Sequence, residues 1–175
     1  MKRLQDRYWS AEGLGGALRE EVHFDGRRML CYSERPADLN ALLADAVARF
    51  PDRPATVEGA TLTYRAFDAA VAGLAAGLAA HGIGKGDRVG LFLFNRWEFL
   101  ALVFACARLG AVAVPVGPRQ RRAELEFLLA DCGVSLLVFD HDLADAVPED
   151  GAVPTLRHRF SIGGEAAGAR PFAAL

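Results

Sequence analysis

Histidine, cysteine and long apolar runs are all scarce in this chain of 175 residues. The three cysteines, Cys31, Cys106 and Cys132, are an odd and scattered set that fits no disulfide framework and no metal-ligand spacing. The four histidines form no cluster with them, and His141, between Asp140 and Asp142, has no second His or Cys at ligand spacing. No Gly-x-Ser-x-Gly elbow occurs, and no carboxylates are paired for acid–base work. No stretch approaches 18 uninterrupted apolar residues, so none spans a bilayer. Met1 to Arg7 carries charge without an apolar segment behind it, which excludes a secretory signal. Net charge is −2, giving no global pull toward nucleic acid or anionic membrane. These absences together predict a reducing, cytoplasmic setting.

The chain is instead rich in apolar side chains, at 52%, with a mean hydropathy of +0.15. A chain of this length can bury roughly 68–70% of its unfolded surface. The apolar excess has two readings: a tightly packed Ala/Leu/Val core, or surface meant to be covered by protein outside this chain. Three short apolar runs, Arg88 to Phe94, Ala111 to Val116 and Val134 to Phe139, alternate with helical spacing over Arg96 to Leu109 and Arg121 to Asp131. Buried strands joined by connections of that length predict an α/β fold, a largely parallel sheet flanked by helices.

Two β-hairpins precede it. Asp25-Gly26 sits between β-prone runs, a strong turn signal, and Glu58-Gly59-Ala60 separates Ala55 to Val57 from Thr61 to Tyr64. A helix from Asp38 to Phe50 places Leu39, Leu42, Leu43, Ala46, Val47 and Phe50 on one face, and Pro51 and Pro54 close it. Thr63 can cap the next helix, with Phe67, Val71, Leu74 and Leu78 as its stripe and Gly82 as its stop. Residues 153–162 suit one more strand, and Gly163 to Pro171 reads as a flexible or surface stretch. The implied organisation is a lead-in with a hairpin over 1–37, an α/β subdomain over 38–160, and a flexible tail or linker over 161–175.

Few residues invite a chemical reading. Gly82, Gly84 and Gly86 lie between a helix and a strand, the reverse of a dinucleotide fingerprint, and Gly84-Lys85 lacks the Ser/Thr of a Walker loop. They read as turn residues, which removes a dinucleotide-binding oxidoreductase. Asn95 and Trp97 follow the first central strand, where parallel sheets collect ligands; Asn95 can border a pocket or cap the next helix, and Trp97 can line the pocket or pack beneath it. Arg119, Arg121 and Arg122 oppose the dipole of the helix they precede, offset by an anion or by Glu124 and Glu126. Cys106 and Cys132 read as small core residues. No catalytic residue and no metal ligand is predicted.

Five pieces in order then carry a resemblance. They are Leu62-Thr63-Tyr64-Arg65-Ala66-Phe67, Gly84-Lys85-Gly86-Asp87-Arg88-Val89, Phe94-Asn95, Ala107-Arg108-Leu109-Gly110-Ala111-Val112-Ala113-Val114-Pro115-Val116, and Pro118-Arg119. Over roughly residues 38–140 their order and spacing resemble the N-terminal part of the adenylate-forming, AMP-binding enzymes: acyl- and aryl-CoA synthetases, with luciferases and peptide-synthetase adenylation domains as relatives. Such enzymes use ATP to turn a carboxylic acid into an acyl-adenylate, and most then pass the acyl group to CoA or a carrier pantetheine. They neutralise the departing pyrophosphate with Mg²⁺, a Gly/Ser/Thr-rich loop ending in Lys, and a second Lys on a mobile C-terminal domain.

None of those elements matches a position here. The resemblance therefore implies the first subdomain of an acid–CoA ligase, cut before its catalytic motifs, inactive by itself, and binding neither ATP, Mg²⁺ nor CoA tightly. Gly117 stands where many relatives carry Asn before Pro-Arg. By resemblance, Phe94 to Trp97 lies near the wall of the acyl pocket, with Asn95, Trp97 and Arg119 as substrate-binding candidates. The implied partners are a carboxylic acid and CoA, met through the rest of the enzyme in fatty-acid or related metabolism, with a homodimer as a compatible assembly. The alternative is a stand-alone, non-catalytic binding or interaction module on the same scaffold.

Overall fold

The computed structural model describes residues 17–57 and 61–175. The chain divides into two units, Met1–Asp38 and Leu39–Leu175. In the first, β1 (Leu18–His23) pairs antiparallel with β2 (Arg27–Tyr32), His23 opposite Arg27. The predicted two-residue turn has three residues, Phe24, Asp25 and Gly26, with φ of 45°, 58° and 97°. Asp and Gly enter the left-handed region readily; Phe24 is carried in with them, its side chain 75% exposed. Of the lead-in with a hairpin expected over 1–37, residues 1–16 lie outside the described residues, and Leu18–His23 and Arg27–Tyr32 are the hairpin strands.

The second unit opens with α1 (Leu39–Arg49). Leu43 is buried and Val47 packs on the same core, whereas Leu39 and Leu42, expected on that face, stay about half exposed. Pro54, expected only to close the helix, instead begins β3 (Pro54–Thr56), a strand-start position where a missing N–H costs nothing. β3 pairs antiparallel with β4 (Leu62–Thr63); the predicted turn at Glu58-Gly59-Ala60 lies outside the described residues. Thr63 caps α2 (Tyr64–Ala80), its Oγ1 accepting the Ala66 N–H at 3.2 Å. Phe67, Val71, Leu74 and Leu78 are all buried, as their spacing predicts.

The chain then runs through β5 (Arg88–Phe92), α3 (Trp97–Leu109), β6 (Val112–Pro115), α4 (Arg122–Asp131) and β7 (Leu136–Asp140). A 3₁₀ turn at His141–Ala146 leads toward β8 (His158–Ile162) and a short β9 (Arg170–Pro171). The sheet order is β6-β5-β7-β8-β9, with every neighbouring pair parallel. From β5 the chain steps one way to β6, then crosses back to β7, so the order reverses between β5 and β7.

Both faces are covered. Val89, Leu91, Leu136 and Val138 join a core cluster with the stripes of α2 and α3, while Phe92, Leu137 and Phe139 join another with Leu125 and Leu129 of α4. The period-two alternation of a strand thus feeds two cores. Gly90 lets α4 close on the sheet, since a Cβ there would come within 3.0–3.2 Å of the Leu137, Leu129 and Val134 side chains.

The stretch read as flexible after Ile162 contains β9, which pairs Arg170 with Phe160 and Pro171 with Ser161. A strand of two residues has no alternation to read. Phe172 and Leu175 then pack on the first core cluster, and the Leu175 backbone lies so close to α2 that a Cβ on Gly77 would sit 1.5 Å from its carbonyl oxygen. A Cβ on Gly73, one turn earlier, meets nothing within 4 Å. Gly73→Ala is therefore expected to stabilise the chain by about 1 kcal/mol through helix propensity. Gly77→Ala is expected to destabilise it by about 1–3 kcal/mol by expelling the terminal turn. Denaturant midpoints of the two variants check both signs.

Candidate functional site

The carboxyl ends of β5 and β7 flank the point where strand order reverses, the place where open α/β sheets hold ligands. Here an ion-pair network stands at that crevice. Asp140, at the end of β7, is 6% exposed; its Oδ2 accepts the Phe94 N–H at 2.7 Å and its Oδ1 pairs with the Arg96 guanidinium. Arg96 also forks onto Glu98, Nε to Oε2 at 2.9 Å and Nη2 to Oε1 at 3.1 Å. Hydrogen bonds from Glu98 first, then Asp140, raise the Arg96 pKa against the opposing effect of its partial burial. This fixed cation between two carboxylates is the strongest charged feature of the crevice.

Arg96, not Asn95, takes the N-cap position of α3, without a side-chain capping bond. Bridging to Asp140 needs extended backbone at Arg96, so the helix begins one residue later than an Asn95 cap would allow. Asn95 is left exposed. Beside it lies a groove of about 420 Å³ lined by Ala55, Val57, Asn95, Trp97, Phe99 and Leu100, among others. Trp97 is half-buried and touches the first core cluster from the groove wall, so its packing and lining positions coexist. Arg119 is exposed on the loop after β6 and does not line this groove. The structure thus brings Asn95 and Trp97 together and leaves Arg119 apart.

Arg122, expected to pair with Glu124 or Glu126, instead reaches Glu149 Oε1 at 3.0 Å and the Asp145 carbonyl at 2.8 Å, while Glu124 accepts the Arg121 backbone N–H at 2.8 Å. A second cavity, of about 530 Å³, lies beside this contact, but its Arg159 is tied to Asp150 and to the Glu149 carbonyl. His141 opens the 3₁₀ turn and packs against Gly164. Cys106 is 1% exposed, and burial pushes its thiol up to about 12, as suits a core residue.

On the hairpin, His23 Nε2 lies 2.7 Å from Glu21 Oε2 and 3.8 Å from Cys31 Sγ. Glu21 is clamped by Arg35, at 2.6 and 3.0 Å, and by Arg19 at 2.6 Å. Those bonds, Arg35 first, hold its carboxyl well below the usual range. Linear spacing hides this group, because Cys31 arrives from the other strand. The signal was the hairpin register, which sets Cys31 opposite Arg19 and so on the face of Glu21 and His23.

The crevice carboxylates are engaged with Arg96 and the Phe94 N–H, and Gly84 and Gly86 are spent on a turn in which the Gly84 N–H donates to Asp87 Oδ2 at 2.8 Å. No described helix is long and apolar enough to cross a membrane.

Residues 43–169 match the model of the AMP-binding enzyme family. The chain belongs to that family. It is 37% identical over 121 residues to a medium-chain fatty-acid–CoA ligase of Escherichia coli, covering 66% of this chain and 21% of that protein. It is 40% identical over 99 residues to a feruloyl-CoA synthase of an Amycolatopsis species, covering 57% and 20%. A Rhodopseudomonas palustris structure assigned to a long-chain fatty-acid CoA ligase superposes with a TM-score of 0.70 at 34% identity, over 77% of this chain and 35% of that one. The chain spans about a fifth of the length of those two relatives and corresponds to a partial, N-terminal portion of the acyl-CoA synthetase fold.

Asp140→Ala is expected to lower stability by about 2–3 kcal/mol, since it strands the Phe94 N–H and half of the Arg96 charge. Arg49→Ala, which breaks an exposed i,i+4 pair with Asp45 and an exposed cation–π contact with the Phe50 ring, should stay within about 1 kcal/mol. Urea unfolding of both variants separates the two cases. With a thiol reagent at mildly alkaline pH, Cys31 and Cys132 should react while Cys106 stays unmodified until the chain unfolds; mass spectrometry of the labelled peptides checks the order.

Proposed function

We propose that this chain is part of an ATP-dependent carboxylic acid–CoA ligase. The acid and ATP give an acyl-adenylate and pyrophosphate, and the CoA thiol then displaces AMP to leave a thioester. The observation that carries this reading is the family match over residues 43–169, together with relatives that are themselves CoA ligases. A carboxylate is a poor electrophile, and joining it to AMP supplies the leaving group that makes its carbonyl open to attack by a thiol.

Within that reaction the 175 residues supply scaffold and part of a substrate wall, and are inactive alone. The groove beside β3 and α3 sets the Asn95 amide and the Thr56 hydroxyl among apolar and aromatic side chains, with Arg96 at its edge already held by Asp140 and Glu98. That chemistry suits the carbon chain or ring of an organic acid better than a polyphosphate. Asn95 and Trp97 are assigned to the acid, and Arg119, exposed on its own loop, to an anionic part of a substrate brought up by the rest of the enzyme. ATP, Mg²⁺ and CoA are held by those other parts, in a cytoplasmic enzyme.

ATP–pyrophosphate exchange tests the reading. The chain alone should show none, and a polypeptide in which the coding sequence continues past codon 175 should show exchange that depends on added acid. Exchange by the chain alone would overturn its inactivity, and no exchange from the longer protein with any fatty or aromatic acid would overturn the ligase reading. In the active protein, Trp97→Ala should raise the KM for the acid about tenfold or more, the scale of one lost apolar contact set, and leave the KM for ATP unchanged.

A further inference from the structure

One face of the β1–β2 hairpin carries a side-chain group with no part in the ligase reading. Register sets Arg19, Glu21 and His23 of β1 on the same face as Cys31 of β2, and the Glu21 carboxylate, His23 Nε2 and Cys31 Sγ all lie within 4.8 Å of one another. A thiol, an imidazole and a carboxylate could form a nucleophile relay. That relay, however, needs the thiol on one ring nitrogen and the carboxylate on the other. Here both meet the same nitrogen, Nε2, at 3.8 and 2.7 Å. Three different donor atoms within 4.8 Å of one another can instead share one metal ion.

We propose that Glu21, His23 and Cys31 form a three-ligand site for a divalent cation of the zinc class, with its fourth position open to solvent. The mixed sulfur, nitrogen and oxygen set selects zinc over magnesium or calcium, which take oxygen ligands. The site is reachable, with His23 side-chain exposure at 36% and Glu21 at 16%. Arg35 and Arg19 form the outer shell, and their hydrogen bonds keep the Glu21 carboxylate ionised and fix its direction. Their two positive charges also oppose the cation, so binding is weaker than in a closed, cysteine-rich structural site.

Protons balance without any redox partner. In the empty site His23 donates its Nε2 proton to Glu21 Oε2; when the cation binds, that proton leaves Nε2 and the neutral ring holds its proton on Nδ1, so Nε2 offers its lone pair, and Cys31 releases one proton to solvent. The Nε2–Oε2 separation must open from 2.7 Å to about 3.3 Å, the edge of a tetrahedron with bonds near 2.0 Å. Rotation of the His23 side chain, which is only partly buried, covers that distance.

The test is a cobalt titration of the chain after chelator treatment. One equivalent of Co²⁺ should produce the visible bands of a four-coordinate ion and a near-ultraviolet thiolate-to-cobalt absorption, both abolished by Zn²⁺. Cys31→Ser should remove the thiolate band, His23→Ala should weaken binding at least tenfold, and Cys106→Ser should change nothing. No saturable band, or a thiolate band that survives Cys31→Ser, would overturn the site. X-ray absorption on the zinc-loaded unaltered chain gives a reading free of folding artefacts. One sulfur with nitrogen and oxygen ligands is expected, and a sulfur-free or two-sulfur shell overturns it.

Discussion

Everything in the second unit depends on β5 being flanked by parallel partners and buried on both faces. A parallel strand in that position has no solvent side, so each of its side chains must find apolar cover. From Val89 to Phe92 the residues are buried, alternating between the cluster under α2 and α3 and the cluster under α4. Arg88, its one charged residue, sits at the entrance and turns outward. Its guanidinium donates to the Cys132 carbonyl at 2.9 Å and the Gly133 carbonyl at 2.7 Å, satisfying acceptors left over where α4 ends. Its own carbonyl accepts the Ser135 N–H at 3.0 Å and the Ser135 hydroxyl at 3.1 Å, which starts β7 in register. One residue thus joins the start of β5, the end of α4 and the start of β7.

That constraint decides what can happen at the opposite end. With β5 and β7 in fixed register, Phe92 stands beside Phe139, and just beyond them the Phe94 N–H, two residues on, meets the Asp140 carboxylate. A buried carboxylate is costly unless it is paired and hydrogen-bonded. Asp140 is both, and Arg96 passes the charge on to Glu98. The extended backbone that Arg96 needs for this bridge sets where α3 starts and hence where Trp97 points. A pairing that looks purely structural therefore shapes the neighbouring groove.

Much of this was legible in the sequence because the buried strands are apolar and the helix stops are glycines. The strand triplet, the Thr63 cap and the α2 stripe all follow from local rules, and Gly110 ends α3 in the left-handed conformation that rule requires. What escaped depended on partners distant in sequence. Asn95 looked like a cap because local pattern cannot reveal that Asp140, 44 residues beyond Arg96, would claim that neighbour instead. The partner of Arg122 is Glu149, 27 residues on, not the glutamates of its own helix. β9 has two residues and borrows its order from β8, and the Glu21–His23–Cys31 group exists only once the strands pair. Local chemistry reads helices and strands well, and tertiary electrostatics poorly.

The same distinction explains how a family fold can be present while chemistry is sparse. Open α/β sheets place ligands where strand order reverses, and here Arg96 with its two carboxylates stands at that crevice. Opening it to a polyphosphate would bring anionic oxygens against Asp140 and Glu98, which are 6% and 8% exposed, and would draw Arg96 away from them. The free energy of two newly unpaired buried carboxylates, several kcal/mol, stands against that. Room for a ligand lies instead to the side, where Val57 is 79% and Leu100 47% exposed around Asn95 and Trp97. Exposed apolar walls gain from covering a carbon skeleton and gain nothing from covering phosphate. Physical cost thus separates the ion-paired Arg96, which holds the scaffold together, from the largely apolar wall beside it.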